Sequence, residues 1–519
     1  MRKRAVYLSL LCLMLAAGLI GCIGKAPDAE EKPISIWAHI QPDGTALLPY
    51  LADGKVIELG AGIEEAGLSP DRKQLVILQQ GGDLVLTSVK DMETRTVIDR
   101  DVTGVYALRN DGVIYEKEKD GGDCYYRYLV ESGSISERFS APFQLADDCC
   151  TILFSDESGK VQILPAGSEQ AVTAGSHRGE FEPLCVNADG SLAVWSGIEG
   201  ERCNVVLYDH EERQTLLKIA KEGYAGYGFT ECFLSPDGTS LLVWNTNNVR
   251  VLLKARDQDV TQIQLPTRVE LPWTYNEERL FGGKGADADA KLYINAESDD
   301  YGLENIYCID ASGNRERILS NVHQIEIRSG RVFYIDAEKT LYTAKLDGSG
   351  LADEKKIAKN VYSVVAAVDG QTACYGKNLE EDGTGALYCY SVGEDVSARI
   401  STKASFDYSD YSFDGMENFF VRDYTRISDD GRFVFYFEEV QGIGDTYQNC
   451  GTLYRYDIRN DSSERLAAEV DTWLSQGSSA GGNDINADDF WLRQYASHTD
   501  DDVKWRLVAF YNGKRITVD

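Results

Sequence analysis

The residues that could do chemistry are scattered along this chain, and most fail when set against what the chemistry needs. Gly477-Ser478-Ser479-Ala480-Gly481 matches the G-x-S-x-G pattern of a hydrolase nucleophile elbow. That pattern works at a strand-to-helix turn of an α/β sheet, with an acid and a histidine further along. Here the residues after it read as strand and the single later histidine is His498, so the segment reads as a Gly/Ser loop. The histidines (His39, His177, His210, His323, His498) show no HxxxH or HxH spacing. A metal site would have to be gathered from distant segments, and surface or turn positions are the simpler expectation. Asp484-Ile485-Asn486-Ala487-Asp488 opens like a calcium loop, which then needs Gly at its sixth position and Glu at its twelfth. The chain has Asp489 and Tyr495 there. Asp287-Ala288-Asp289 with Lys291 fails sooner. Calcium on an acidic loop stays open without assignable ligands, so no cofactor and no catalytic residue is assigned. Neither G-x-x-x-x-G-K nor G-x-G-x-x-G in a strand–helix setting is present. Aromatic clusters remain: Tyr224 and Tyr227 with Phe229, then Tyr408 and Tyr411 with Phe413. Such rings stack on sugars or dock peptides, or else pack between structural units.

Composition narrows the classes. The 519 residues are 43% hydrophobic, which is ample for a core and excludes global disorder. With 84 Asp+Glu against 52 Lys+Arg the net charge is −32. A nucleic-acid partner is excluded by the lack of a basic face to displace counterions; a cationic partner or a divalent metal suits the charge, and a solvated acidic surface accounts for it. Of 12 cysteines, Cys12 and Cys22 lie near the N-terminus and ten in the body. An even number outside the cytoplasm points to disulfides. Cys149 and Cys150 are neighbours, whose bond would be strained; Cys308 and Cys389 sit in strand-like runs, where Cys serves as a small apolar residue. No CxxC spacing occurs, so neither a zinc ribbon nor a redox motif is expected.

The N-terminus carries an address. Arg2, Lys3 and Arg4 precede an apolar run from Ala5 to Ile20 broken only by Ser9. That run is short for a membrane span and fits the apolar region of a secretory signal. Leu19-Ile20-Gly21-Cys22 resembles the lipobox of bacterial lipoproteins. The resemblance implies removal of residues 1–21 and acylation of Cys22, with palmitate among its lipids. Residues 22–33 then form a lipidated cysteine and flexible tether, holding residues 34–519 on the outer side of the cell membrane.

Internal repetition sets the expected fold. An apolar strand, a small polar turn and a second apolar strand recur: Leu68-Ser69-Pro70-Asp71 before QLVIL, Asn110-Asp111-Gly112 before VIYE, Asn187-Ala188-Asp189-Gly190 before SLAVW, and Leu234-Ser235-Pro236-Asp237-Gly238 before TSLLVW. Val368-Asp369-Gly370 and Ser428-Asp429-Asp430-Gly431 continue the series. Pro presets one turn dihedral, Asp bonds its own backbone, and Gly accepts positive φ. The first four turn aspartates, 71, 111, 189 and 237, are 40, 78 and 48 residues apart, one unit or about two. A second phrase follows the turn, as in Val206-Leu207-Tyr208-Asp209, Leu341-Tyr342-Thr343-Ala344, Leu387-Tyr388-Cys389-Tyr390 and Leu453-Tyr454-Arg455-Tyr456-Asp457. With the charged strands after it (ERIL, KKIA, ERLA), each unit holds about four strands, the size of a propeller blade.

The pattern strand–SPDG–strand–LYxxD–strand resembles the TolB-type, WD-repeat-like β-propeller, whose blades also precede the catalytic domain of prolyl-oligopeptidase-type peptidases. The likeness covers roughly residues 34–519 and is specific in the turn and the Leu-Tyr strand; the Trp-Asp and Gly-His pairs of true WD repeats are missing. It implies an all-β propeller of about eight four-stranded blades, within a range of seven to ten. Residues 34–48 and the C-terminal strands are expected to close the ring, hiding both sheet edges. No hydrolase domain accompanies the blades, so a peptidase is not expected. The expected function is a non-catalytic binding or scaffold module for a protein, peptide or glycan, presented on variable loops. An envelope assembly role is what the TolB likeness implies. The enzymatic alternative acts on glycan or peptide through channel carboxylates about 5–10 Å apart.

Overall fold

Leu75, Val76, Ile77 and Leu78 are all buried, so the strand Gln74–Gln79 hides both of its faces. Successive side chains of a strand point to opposite faces, and here the two faces serve different neighbours. Leu75 and Ile77 pack with Ala46, Ile63 and Leu68, whereas Val76 and Leu78 pack with Leu108, Val113 and Tyr115 of the following sheet. The same division recurs along the chain. Leu153 looks forward to Phe181 and Trp195 while Ile152 and Phe154 look back to Ile114; Val332 and Tyr334 look back while Phe333 and Ile335 look forward to Val364 and Tyr375; Val434 and Tyr436 look back while Phe433, Phe435 and Phe437 look forward to Phe490 and Phe510. Each apolar core therefore lies between consecutive sheets, which makes the sheets the blades of a β-propeller.

The structure is a computed structural model. It describes residues 36–517 apart from short segments and the longer 221–229, 255–260, 264–291, 410–417 and 476–482. Every extended element among them is a strand. Antiparallel meanders of four strands occupy 63–99, 102–135, 143–176, 180–220 and 230–263, then 322–359, 361–405 and 425–471. Units at 39–58, 292–319 and 490–517 have three described strands each. The strand Arg315–Arg328 runs from one unit into the next, and single bridges, Ala404 to Glu438 and Val470 to Gln494, join later units. Ile36–Trp37 pairs with Ile63–Leu68, adding a strand to the 63–99 sheet; among the described pairings none joins the N-terminal strands to the C-terminal ones.

The polar turns behave as their chemistry requires. In the first, Ser69 Oγ donates to Asp71 Oδ1 (2.7 Å), Lys73 N donates to the same oxygen (3.1 Å), and Gln74 N donates to Ser69 Oγ (2.9 Å). Asp189 and Asp369 likewise accept from the amide two residues on. Several turns also touch the next unit's turn: Asp71 N donates to Asn110 Oδ1 (2.8 Å), Cys150 Sγ to Asp111 Oδ1 (3.3 Å), and Ser329 Oγ to Val368 O (2.8 Å). Eight of the 29 tyrosines form cross-strand pairs. Tyr115 faces Tyr126, Tyr334 faces Tyr342, Tyr375 faces Tyr388 and Tyr436 faces Tyr454 across paired strands, with stacked rings 5.1–5.7 Å apart. In three copies of the Leu-Tyr phrase the tyrosine (Tyr342, Tyr388, Tyr454) is thus one half of a cross-strand aromatic pair, whereas Tyr208 is paired with Ala193.

Candidate binding site

At the opposite end of each blade from the Asp turns, the hairpin between second and third strands meets the chain entering the next blade. In the 143–176 unit the strands Ile152–Ser155 and Lys160–Leu164 are joined by a turn in which Asp156 N donates to Lys160 O (2.9 Å) and Gly159 N to Asp156 O (3.0 Å). Asp156 Oδ1 accepts from Ser158 N, Ser158 Oγ and Lys160 N, and Oδ2 from Gln162 Nε2. Burial pushes this carboxyl up, but those donors outweigh it and hold it at about 2. His177 leaves the fourth strand and donates its backbone N–H to Gly159 O (2.9 Å). Its Nε2 then lies 2.6 Å from Ser155 Oγ, and its ring 4.9 Å from that of Phe181. Gly197 leaves room for it, since a Cβ there would stand 3.2 Å from the His177 Cβ. Burial lowers the His177 pKa, with the Gly179 backbone and the Asp156 charge opposing, so the imidazole is neutral at pH 7.

The same junction in other blades shows how unusual this pair is. Val102 N donates to Gly82 O, Val361 N to Lys339 O and Phe406 N to Gly383 O, so these residues occupy the place of His177. The residue one before the hairpin, Ser155 here, is Leu78, Ile335 and Leu379 in those units, as their turn hydrogen bonds show. Leu78 and Val102 share one apolar core, Ile335 and Val361 another, Leu379 and Phe406 a third. The apolar contact made in those three blades is replaced here by a hydrogen-bonded Ser–His pair, while in the 425–471 blade the place of His177 is taken by Thr472, whose N donates to Asn449 O.

That pair opens on a cleft of about 580 Å³ lined by Ser140, Pro142, Glu157, Ser158 and Glu180 among others, with no lysine or arginine. Beside it, Phe139 and Phe143 bracket the 140–142 segment. Phe143 packs on Tyr125 (4.8 Å) and Tyr106 (5.0 Å), and Tyr106 is 56% exposed, unusual for a ring this large. Tyr125 Oη donates to Glu116 Oε1 (2.6 Å). Glu116 and Glu65 both approach Gly104: a Cβ there would be 3.6 Å from Glu116 Oε2 and 3.9 Å from Glu65 Oε1. Burial, then the charges of Glu64 and Glu116, raise the Glu65 pKa against the pull of its hydrogen bond from Val105 N.

Among the described residues, the groups that would complete a hydrolase site are not gathered at the Ser–His pair. His177 Nδ1 is buried and makes no well-formed hydrogen bond, so no carboxylate orients the ring. The Ser158 and Lys160 amides of the adjoining turn, the donors an oxyanion would need, are already held by Asp156. The arrangement presents hydroxyls, a neutral imidazole, carboxylates, of which Glu157 pairs with Arg138, and an exposed ring.

None of this site was singled out from sequence except as one scattered histidine, although aligning the repeats on their hairpins would have shown Ser155 and His177 at apolar positions. The positions that were singled out fall elsewhere. Cys22, His210, Gly477–Gly481, Asp287–Asp289, Tyr224, Tyr227, Phe229, Tyr411 and Phe413 lie outside the described residues. Tyr408 is in register with Phe419 on a two-stranded ribbon, His39 with Leu47, and His498 with Val503. His323 is exposed on its strand, its pKa lowered first by desolvation and then by Lys339. Asp484 pairs with Ser475, and the loop after it lies outside the described residues. Among the described residues no group of three or more His, Cys, Asp or Glu is placed to hold a metal.

No protein-family model matches this chain, and no curated protein does. Solved structures similar to it include the tricorn protease (12% identity, TM-score 0.27, covering 92% of this chain and 49% of that one). A eukaryotic initiation factor gives 11% identity and a TM-score of 0.38 over 71% and 96%. TolB from Acinetobacter baumannii gives 14% and 0.23 over 68% and 78%. The chain spans about half the length of the tricorn protease. At such identities the likeness concerns fold alone, and the propeller assignment rests on the sheet order and the cores between sheets.

Proposed function

We propose that this chain is a lipid-anchored, extracytoplasmic protein whose propeller is a non-catalytic binding module for a protein, peptide or glycan. Its contact surface is the Ser155–His177 cleft with the neighbouring Tyr106, Tyr125 and Phe143. The observation that carries this reading is the replacement of an inter-blade apolar contact by a hydrogen-bonded pair on an open cleft, beside an exposed aromatic ring. A polar pair at a junction that packs apolar side chains in three other blades gives up hydrophobic stabilisation, and recognition explains that loss. The anchor rests on Cys22 and the apolar run before it.

Glycan and peptide arrays probed with the detergent-solubilised full-length protein test the reading. The double variant Ser155→Leu/His177→Val installs the apolar pair seen in three other blades, and should keep the fold while losing at least tenfold in binding. Unchanged binding in that variant, with Tyr106→Ala also unchanged, would remove the cleft from consideration. One observation favours the enzymatic alternative: Glu65 and Glu116 converge on Gly104 with one pKa raised, the arrangement of an acid–base pair. Glycan turnover that is abolished in Glu116→Gln would establish that reading instead.

A further inference from the structure

Cys185 and Cys232 stand 47 residues apart on the first strands of two successive blades, Glu180–Val186 and Thr230–Leu234. Both belong to the apolar core between those blades, with Leu192, Val194, Leu207, Leu234 and Val243. Their sulfurs are 2.8 Å apart, about 0.8 Å beyond the roughly 2.0 Å of a covalent S–S bond. Cysteine in a propeller core ordinarily serves as a small apolar residue, and any of the surrounding aliphatic types would fill that role. Two cysteines meeting across a blade junction are what a covalent staple needs. The remaining described cysteines contrast with them. Cys124 Sγ donates to Gly122 O (3.9 Å) and Cys150 Sγ to Asp111 Oδ1 (3.3 Å). Cys374 and Cys389 face each other within a single blade, on strands already joined by a full ladder of hydrogen bonds, so a bond between them would add no new connection.

We propose that Cys185 and Cys232 form a disulfide in the functional protein, covalently tying the 180–220 blade to the 230–263 blade. The chemistry is a thiol–disulfide exchange. The Cys185 and Cys232 thiols together give up two protons and two electrons, one S–S bond forms between them, and the S–S bond of a small-molecule or protein disulfide is cleaved to two thiols. The junction is a sensible place for it. Within a blade, backbone hydrogen bonds run from strand to strand; between blades, side-chain packing does most of the holding. A bond there also closes a long loop, where the gain from restricting the unfolded chain is large.

The test is a disulfide map of the detergent-solubilised full-length protein after incubation with oxidised glutathione, alkylated under denaturing, non-reducing conditions and digested for mass spectrometry. The expected product is one cross-linked peptide joining Cys185 to Cys232, two mass units lighter than the reduced pair, with Cys374 and Cys389 recovered as alkylated thiols. The oxidised protein should also lose several degrees of melting temperature on reduction, a loss absent from Cys185→Ser/Cys232→Ser. Recovery of both Cys185 and Cys232 as alkylated thiols overturns the proposal, and so does a cross-link from Cys232 to any other cysteine. The map is read on the wild-type chain, so it stands even if the double variant folds poorly.

Discussion

His177 and Glu65 show that one side chain at a blade junction can set how this protein answers to pH. The His177 pKa is lowered, chiefly by burial. Protons therefore prefer the unfolded chain, so the stability tied to His177 is present above pH 6.5 and is lost as pH falls through its folded value. Ser155→Leu/His177→Val removes that loss. Its melting temperature should match or exceed wild type at pH 7 and fall less steeply between pH 7 and 5 in a series of thermal scans; His323, also lowered, leaves some slope behind. Glu65 runs the other way. Its raised pKa means that its contribution is favourable below pH 4.5 and is lost as pH rises through its folded value. Gln324 fills the corresponding role one tie at a time elsewhere: its amide donates to Val364 O (2.9 Å) and accepts from Val364 N (3.0 Å), 40 residues on, where Glu65 only accepts from Val105 N. Glu65→Gln should therefore stabilise at pH 7 by about 0.5–1 kcal/mol, the worth of one added neutral hydrogen bond. In urea unfolding the gain should disappear near pH 4.

At the scale of the element, the turns that made the repeats visible also join them. Gly370 closes one turn at φ +66°, and a Cβ there would stand 2.5 Å from Arg328 O of the preceding unit. Gly330 closes the facing hairpin at φ +71° with nothing within 4 Å of its Cβ position. The pair separates conformational strain from lost space. Gly330→Ala should cost about 1 kcal/mol, the penalty for a left-handed residue with a side chain. Gly370→Ala carries that penalty and must also displace backbone, for a loss of about 2–4 kcal/mol. Denaturant titration of the two variants reads the difference directly, and equal losses would mean that adjacent turns are not in contact.

For the whole molecule the deciding quantity is charge. Acids outnumber bases 84 to 52, giving −32. Exposed pairs such as Lys345–Asp353 contribute little, so net self-repulsion is the larger electrostatic effect in the folded state. Raising ionic strength from about 10 mM to about 0.5 M shortens the screening length from roughly 30 Å to a few ångströms, and the melting temperature should rise. A fall on adding salt would mean that favourable ion pairs outweigh the repulsion. Because each core is shared by two blades, loss of one face exposes its neighbour, and the rise should appear in a single transition.

Much of this was legible in the residues themselves. Turn chemistry and strand alternation are local, so Ser69-Pro70-Asp71, the Gly370 turn and the four-strand unit could be read in order along the chain, and the all-β propeller with them. The Leu-Tyr phrase was visible as a repeat, but its partner was not, because the ring that Tyr342 or Tyr454 stacks on is chosen by strand register. Ser155 and His177 are separated by 21 residues of strand and turn, and neither carries a signal until the hairpin and the blade entry are superposed. Cys185 and Cys232 likewise belong to different blades and met only when two sheets packed face to face. Local dihedral preference and hydrophobic period are properties of neighbouring residues, which sequence alone displays. Which side chains meet across a blade junction depends on how sheets pack, and that only the tertiary structure decides.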